Sequence, residues 1–143
     1  MRVAVLLAVA VPLAVADLAH KASSETQWWA YHERSLAWLV LCALLFVVTL
    51  ALARVPSLAI PPAAGLLAAG VLGNASAAWN GLRVPNPIVV QGDRAVLAFN
   101  LADVWALAGI LALTVSLSVW LVRNREQLPP PQEVWSVARW RRR

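Results

Sequence analysis

The sequence is poor in charge and in cysteine. Lys, Arg, Asp and Glu together make up 13% of the 143 residues, and hydrophobic residues make up 61%. A soluble domain of this size needs far more polar surface, so this composition points to a membrane protein. The one cysteine, Cys42, lies inside an apolar run, which excludes an intrachain disulfide and says nothing of redox compartment. It reads as a small buried or lipid-facing side chain. The two histidines, His20 and His32, lack a third ligand, so no metal site is expected. There is no internal repeat, no phosphate-binding glycine motif and no Ser-His-Asp set, and no cofactor is expected. Acidic residues are the scarcer sign, seven against twelve basic ones. Six of the twelve basic residues follow residue 122. Positive charge gathered in a tail is not the footprint of a folded nucleic-acid-binding surface.

What is present is a series of apolar stretches, each near the roughly 20 residues that cross a hydrocarbon core as helix. The expected architecture is all-α and polytopic, with four transmembrane helices over about 3–19, 35–53, 57–76 and 99–122, in one membrane domain spanning 1–122. The first stretch also imitates a secretory signal peptide, with Arg2, an apolar core and "AVA" at 14–16 ahead of Asp17. It is read here as a membrane helix with a kink expected at Pro12. The third carries Pro61 and Pro62 where a first helical turn tolerates missing donors. Its Gly65 and Gly70, with alanines between, offer a small-residue face for close approach of a partner helix. It is expected to unravel near "GNAS", residues 73–76.

Four spans place both termini and the turn at Arg54 on one side. That side carries eight basic residues, against Lys21, Arg34, Arg83 and Arg94 on the other. The bias puts both termini in the cytoplasm of a plasma membrane. Trp28, Trp29 and Trp79 then sit near the outer interface, where indole rings are enriched. The outer loop 20–34 is polar and aromatic, and 79–96 forms a longer excursion between the third and fourth helices. Asn80-Gly81 and Pro85-Asn86-Pro87 are turn signals, and "IVV" at 88–90 is strand-like, so a small two-stranded excursion is expected.

Three motifs in this order resemble the lipoprotein signal peptidase family, also called signal peptidase II. Asp17 and Lys21 match an Asp-x-x-x-Lys pattern at the outer end of the first helix. Gly73 and Asn74 match the start of a Gly-Asn-x-x-Asp-Arg motif after the third. "FNLAD", from Phe99 through Asn100 to Asp103, matches a Phe-Asn-x-Ala-Asp motif before the fourth. The resemblance implies a four-helix inner-membrane aspartyl protease that cuts prolipoproteins before a lipidated cysteine. Such a mechanism needs two facing carboxylates, one ionised as base and one protonated.

The departures bear on that mechanism. Asp103 matches the second catalytic aspartate, whereas the first falls on Ala77 and the neighbouring arginine on Ala78. The outer segment between the first two helices is also short and lacks the family's asparagine- and glycine-bearing motif. Asp93 and Asp17 are the two stand-ins considered for the missing carboxylate, neither in a position fixed by a motif. Without a partner, Asp103 is expected to hold the start of the fourth helix, as a carboxylate near the N-terminal amides does. Asp17 and Lys21 are expected to pair at i,i+4, and Asn100 or Asn74 to bond across to the third helix.

The expected function is therefore a non-catalytic membrane subunit or scaffold of a larger complex. Its partners are the lipid bilayer and other integral membrane proteins, reached through Gly65, Gly70, Trp28 and Trp29, with no nucleic acid. The alternatives are a non-cleaving binder of lipidated or signal-peptide-like segments, or an active protease with a displaced dyad. The tail, 123–143, is basic and interrupted by Pro129–Pro131; its Trp135, Trp140, Arg141, Arg142 and Arg143 suit contact with anionic lipid or a partner at the cytoplasmic face.

Overall fold

The computed structural model describes residues 1–127. The tail residues Trp135, Trp140, Arg141, Arg142 and Arg143 lie outside the described residues. Four α-helices carry the fold: α1 (Arg2–Ser23), α2 (Leu36–Leu52), α3 (Ile60–Ala78) and α4 (Leu101–Arg123). α1, α3 and α4, of 22, 19 and 23 residues, are long and apolar enough to cross a membrane. The chain is a multi-pass membrane protein. α2 is strongly apolar but has 17 residues; at 1.5 Å per residue that is about 26 Å, just short of a hydrocarbon core of about 30 Å. The expectation of four full-length spans is corrected to three, with a shorter apolar fourth.

α3 is the central element, and its composition is why. Thirteen of its residues are buried, most of them alanine or glycine. Small side chains let three other helices approach its backbone, which is what drives association where lipid removes the hydrophobic advantage. A Cβ on Gly65 would lie 2.8 Å from the Leu6 carbonyl oxygen of α1, and one on Gly70 would collide with the Ala102 carbonyl of α4. α4 reciprocates with Gly109, set against the backbone of Leu67. α1 turns a single stripe inward, Leu6, Ala10, Ala14, Asp17 and Lys21, at the three- and four-residue steps of one helix face. Its other face, including Val5, Val11 and Val15, is exposed to the lipid side. α1 runs through Pro12 as one helix.

α3 does not unravel at "GNAS". It continues through Gly73 and Asn74, both buried between neighbouring helices, and tertiary packing outweighs the low helix propensity of Gly, Asn and Ser there. Its end comes at the Asn80-Gly81 turn, where Leu82 adopts φ 54° and its N–H donates to Ala78 O at 2.8 Å. Pro61 and Pro62 occupy the first turn as expected of residues without an N–H.

Two small antiparallel ladders cap the end of the bundle where α1 and α3 finish and α4 begins. β1 (Tyr31–Glu33) pairs with β2 (Arg83–Pro85), with His32 opposite Val84. β3 (Ile88–Gln91) pairs with β4 (Val96–Phe99), closed by a turn in which Gly92 N–H donates to Ala95 O at 2.9 Å. The second ladder is the excursion expected between the third and fourth helices. The first ties the loop between α1 and α2 to the chain leaving α3, and no pattern in the sequence announced it.

Candidate functional site

Polar side chains are few within the bundle, and those at its ladder-bearing end form one connected chain. It starts at Asp17, fully buried on α1. Its Oδ1 accepts the Ala102 N–H of α4 at 2.8 Å, and its Oδ2 accepts Lys21 Nζ at 2.7 Å. Gly73 makes room for this carboxylate, since a Cβ there would lie 2.6 Å from Asp17 Oδ2. Lys21 Nζ also donates to Asn74 Oδ1 at 2.8 Å, and Asn74 Nδ2 donates to Asp103 Oδ1 at 2.8 Å. Three helices are thus joined through one ammonium and one carboxamide. In hydrocarbon surroundings such groups persist only when paired with one another or with backbone.

Asp103 is held further by its own helix start. Asn100 is the N-cap of α4: its Oδ1 accepts the Asp103 N–H at 3.1 Å, and its own N–H donates to Asp103 Oδ2 at 3.2 Å. This is a reciprocal capping box, worth about 0.5–2 kcal/mol for the cap residue. Together with the Asp17 contact to Ala102, it satisfies amide donors that a helix start leaves without intrahelical partners. The chain then continues outward. Asn100 Nδ2 donates to Asn86 Oδ1 and, at 3.4 Å, to Pro85 O. Asn86 Nδ2 meets His32 Nδ1 at 2.7 Å.

The motif residues Asp17, Lys21, Gly73, Asn74, Asn100 and Asp103 therefore converge. Phe99 ends β4 and delivers the chain to the cap. Asp93 does not join them. It lies exposed in the turn of the β3–β4 hairpin, at the far end of a four-residue strand from Phe99, a separation of roughly 13 Å along the strand. Ala77 is half-buried near the end of α3 and contributes nothing polar. Asp17 is near the start of α4, but Lys21 and Asn74 stand between it and Asp103 along the hydrogen-bonded path. Among the described residues no two carboxylates share a hydrogen bond. His20 closes α1 while His32 lies on β1, and among the described residues no three His, Cys, Asp or Glu side chains gather as metal ligands.

One expectation about partner-facing residues needs correction. Gly65 and Gly70 are buried against α1 and α4 of the same chain, so the small-residue face expected to receive a partner is consumed inside the fold. Trp28 and Trp29, by contrast, are exposed at 82% and 44%. Sequence reasoning missed Asn86, which is fully buried, because a Pro-Asn-Pro run reads as a solvent-exposed turn. The available signal was the pair of flanking prolines. They carry no N–H of their own, so the donors of that run are the Asn86 N–H, which bonds Ala30 O at 3.1 Å, and the Asn86 side chain.

A cleft opens between α2 and α4, floored by α3. Trp38, Leu41 and Leu45 form one wall, Ala106 and Ile110 the other, and Leu67 and Val71 the floor, around a cavity of about 240 Å³. Its polar end is made by Arg34, Asn74 and Asp103, with the Arg34 guanidinium stacked 4.8 Å over the Trp38 ring. The site thus joins an apolar trough to a fixed carboxylate.

No family model and no curated protein matches the sequence. The fold is similar to that of a solved bacterial membrane enzyme, determined in meso at 2.3 Å, with a TM-score of 0.64 and 15% identity; the match covers 87% of this chain and 93% of that one. At that identity the likeness is one of fold.

Proposed function

We propose that this protein is a non-catalytic, signal peptidase II-like membrane subunit or scaffold that receives an apolar segment of a partner in the α2–α4 cleft. One observation carries the reading: both oxygens of Asp17 and both of Asp103 accept hydrogen bonds from the chain's own groups. A carboxylate pair that activates water must share a proton and switch states. Here no hydrogen bond joins the two, and each is engaged in fastening α1, α3 and α4 together. In this account α2 also crosses the bilayer with a small thinning of the membrane around it, and both termini face the cytoplasm of a bacterial plasma membrane. The chemistry of the cleft favours a lipidated or signal-peptide-like segment as its occupant, since apolar walls suit acyl and aliphatic groups while Arg34 and Asn74 offer donors to a peptide or ester carbonyl.

A photo-crosslinker at Leu41 or Ile110 in native membranes tests the binding arm. Adducts should map to an apolar segment of a second membrane protein, and a crosslinker at the lipid-facing Val47 or Val115 should yield none. Equal labelling of lipid alone from all four positions would remove the cleft as a binding site. The second reading, an active aspartyl lipoprotein signal peptidase, is favoured by the opening of the cleft onto Asp103. The two readings part on whether a bound segment is cut.

A further inference from the structure

Besides the return bond from Asn100 N–H to Asp103 Oδ2, a line of side-chain contacts runs outward from α4 to β1. Asp103 N–H donates to Asn100 Oδ1 and Asn100 Nδ2 to Asn86 Oδ1, and the Asn86 amide then meets His32 Nδ1 at 2.7 Å. An asparagine amide is ordinarily free to flip and exchange donor for acceptor. Here the inner end is pinned by two backbone groups that cannot exchange. Asp103 N–H demands an acceptor, and the Pro85 carbonyl, 3.4 Å from Asn100 Nδ2, demands a donor. With Asn100 fixed, Asn86 must present Oδ1 inward and its NH₂ outward. His32 Nδ1 must then be an acceptor, a role open to the neutral Nε2–H tautomer alone. Protonated imidazole carries N–H on both nitrogens, and two donors would face each other with no flip available to relieve them.

We propose that the His32–Asn86 contact is a pH-operated latch joining the β1–β2 ladder to the start of α4, closed with neutral imidazole and released by protonation. His32 is exposed, so protons reach it directly, while Asn86 is fully buried and its unpaired NH₂ carries the cost of release. The charged groups around His32 do not hold the latch shut. On the next rung Glu33 pairs with Arg83 of β2 at 3.5 Å, both largely exposed, and Arg83 also lies over Tyr31. On the same rung β2 presents Val84. From α4 the nearest carboxylate in the chain, Asp103, is two carboxamides away. Arg34, which lines the polar end of the cleft, follows β1 directly, and its backbone N–H donates to Leu82 O just ahead of β2. This inference is independent of whether the chain cleaves anything.

Hydrogen exchange of the full chain in lipid nanodiscs, corrected for intrinsic rates, tests the latch on segments 28–36 and 82–88. Between about pH 7.5 and about pH 5, the range in which imidazole changes charge, protection there should fall about fivefold, the fold-change of one ordinary net hydrogen bond. His32→Asn places an amide oxygen where Nδ1 sits and should hold wild-type protection at both pH values. Flat wild-type protection, or an equal fall in His32→Asn, would overturn the proposal. Should His32→Asn be poorly protected at the higher pH, imidazole ¹⁵N spectra of the wild type decide. They must show the Nε2–H tautomer there, and an Nδ1–H tautomer would overturn the latch.

Discussion

Lys21→Met should be among the most damaging single substitutions in the described residues. The Lys21 and Asp17 side chains are 4% and 0% exposed, and their contact is 2.7 Å. Methionine keeps the length and apolar stem of lysine but removes the ammonium, leaving Asp17 with the Ala102 N–H alone and Asn74 Oδ1 without a donor. Removing one partner of a buried ion pair costs about 3–5 kcal/mol, chiefly because the remaining charge stays buried and uncompensated. The compensated double variant, Asp17→Leu with Lys21→Met, should recover most of that loss. Its residual deficit is the lost contact to Ala102 N–H, about 0.5–2 kcal/mol if it counts as a helix cap, plus the unfilled Asn74 acceptor. Reversible unfolding in mixed micelles, followed by far-UV circular dichroism against the mole fraction of denaturing detergent, measures all three proteins on one scale. A Lys21→Met variant within about 0.5 kcal/mol of wild type, the usual scatter of neutral surface changes, would refute the claim that this ion pair fastens α1 to α3 and α4.

The same assay separates several other positions. Gly65→Leu and Gly70→Leu should each destabilise by about 1–3 kcal/mol or more through overpacking, because their Cβ positions are taken by α1 and α4; a neutral result would return that face to partner binding. Asp103→Ala should cost about 1.5–3 kcal/mol through the lost hydrogen bonds to its carboxylate from Asn100 N–H and the Asn74 amide, whereas Asp93→Ala in the hairpin turn should stay within about 0.5 kcal/mol. With Cys42 replaced by serine, a cysteine at Asp93 should react with an impermeant thiol reagent from outside intact cells and one at Arg143 only after the cytoplasm is opened. Labelling of both from the same side would reject the shared-side placement of the termini and the hairpin opposite.

The parts of this site that were legible in the sequence are those written in local spacing. Asp17 and Lys21 are one helical turn apart, so their pairing follows from helix geometry. A helix start is expected at Asp103, but the cap is Asn100, with Asp103 at the third position. The Asn100 amide bonds Asn86 and Pro85 instead of the third helix. Charges against apolar surroundings marked them out. The rest depended on chain segments far apart in sequence. Nothing near Asn86 indicates that Asn100 and His32, 14 and 54 residues away, will close around it. The β1–β2 ladder is three residues long, too short for an alternating pattern to show. For Gly65 and Gly70, composition predicted close approach but not by which helix. Small residues look the same whether they receive the chain's own helices or another protein's.

The most direct test of the account is incubation of the full chain, reconstituted in bacterial phospholipid, with a diacylated prolipoprotein peptide, read by mass. The account predicts that the peptide is recovered at full length, and that its crosslinking to Leu41 is lost when Arg34, at the polar end of the cleft, is replaced by alanine. Cleavage before the lipidated cysteine that disappears in Asp103→Asn would contradict it. In that case the hydrogen bonds that now hold Asp103 would be the resting state of a working carboxylate.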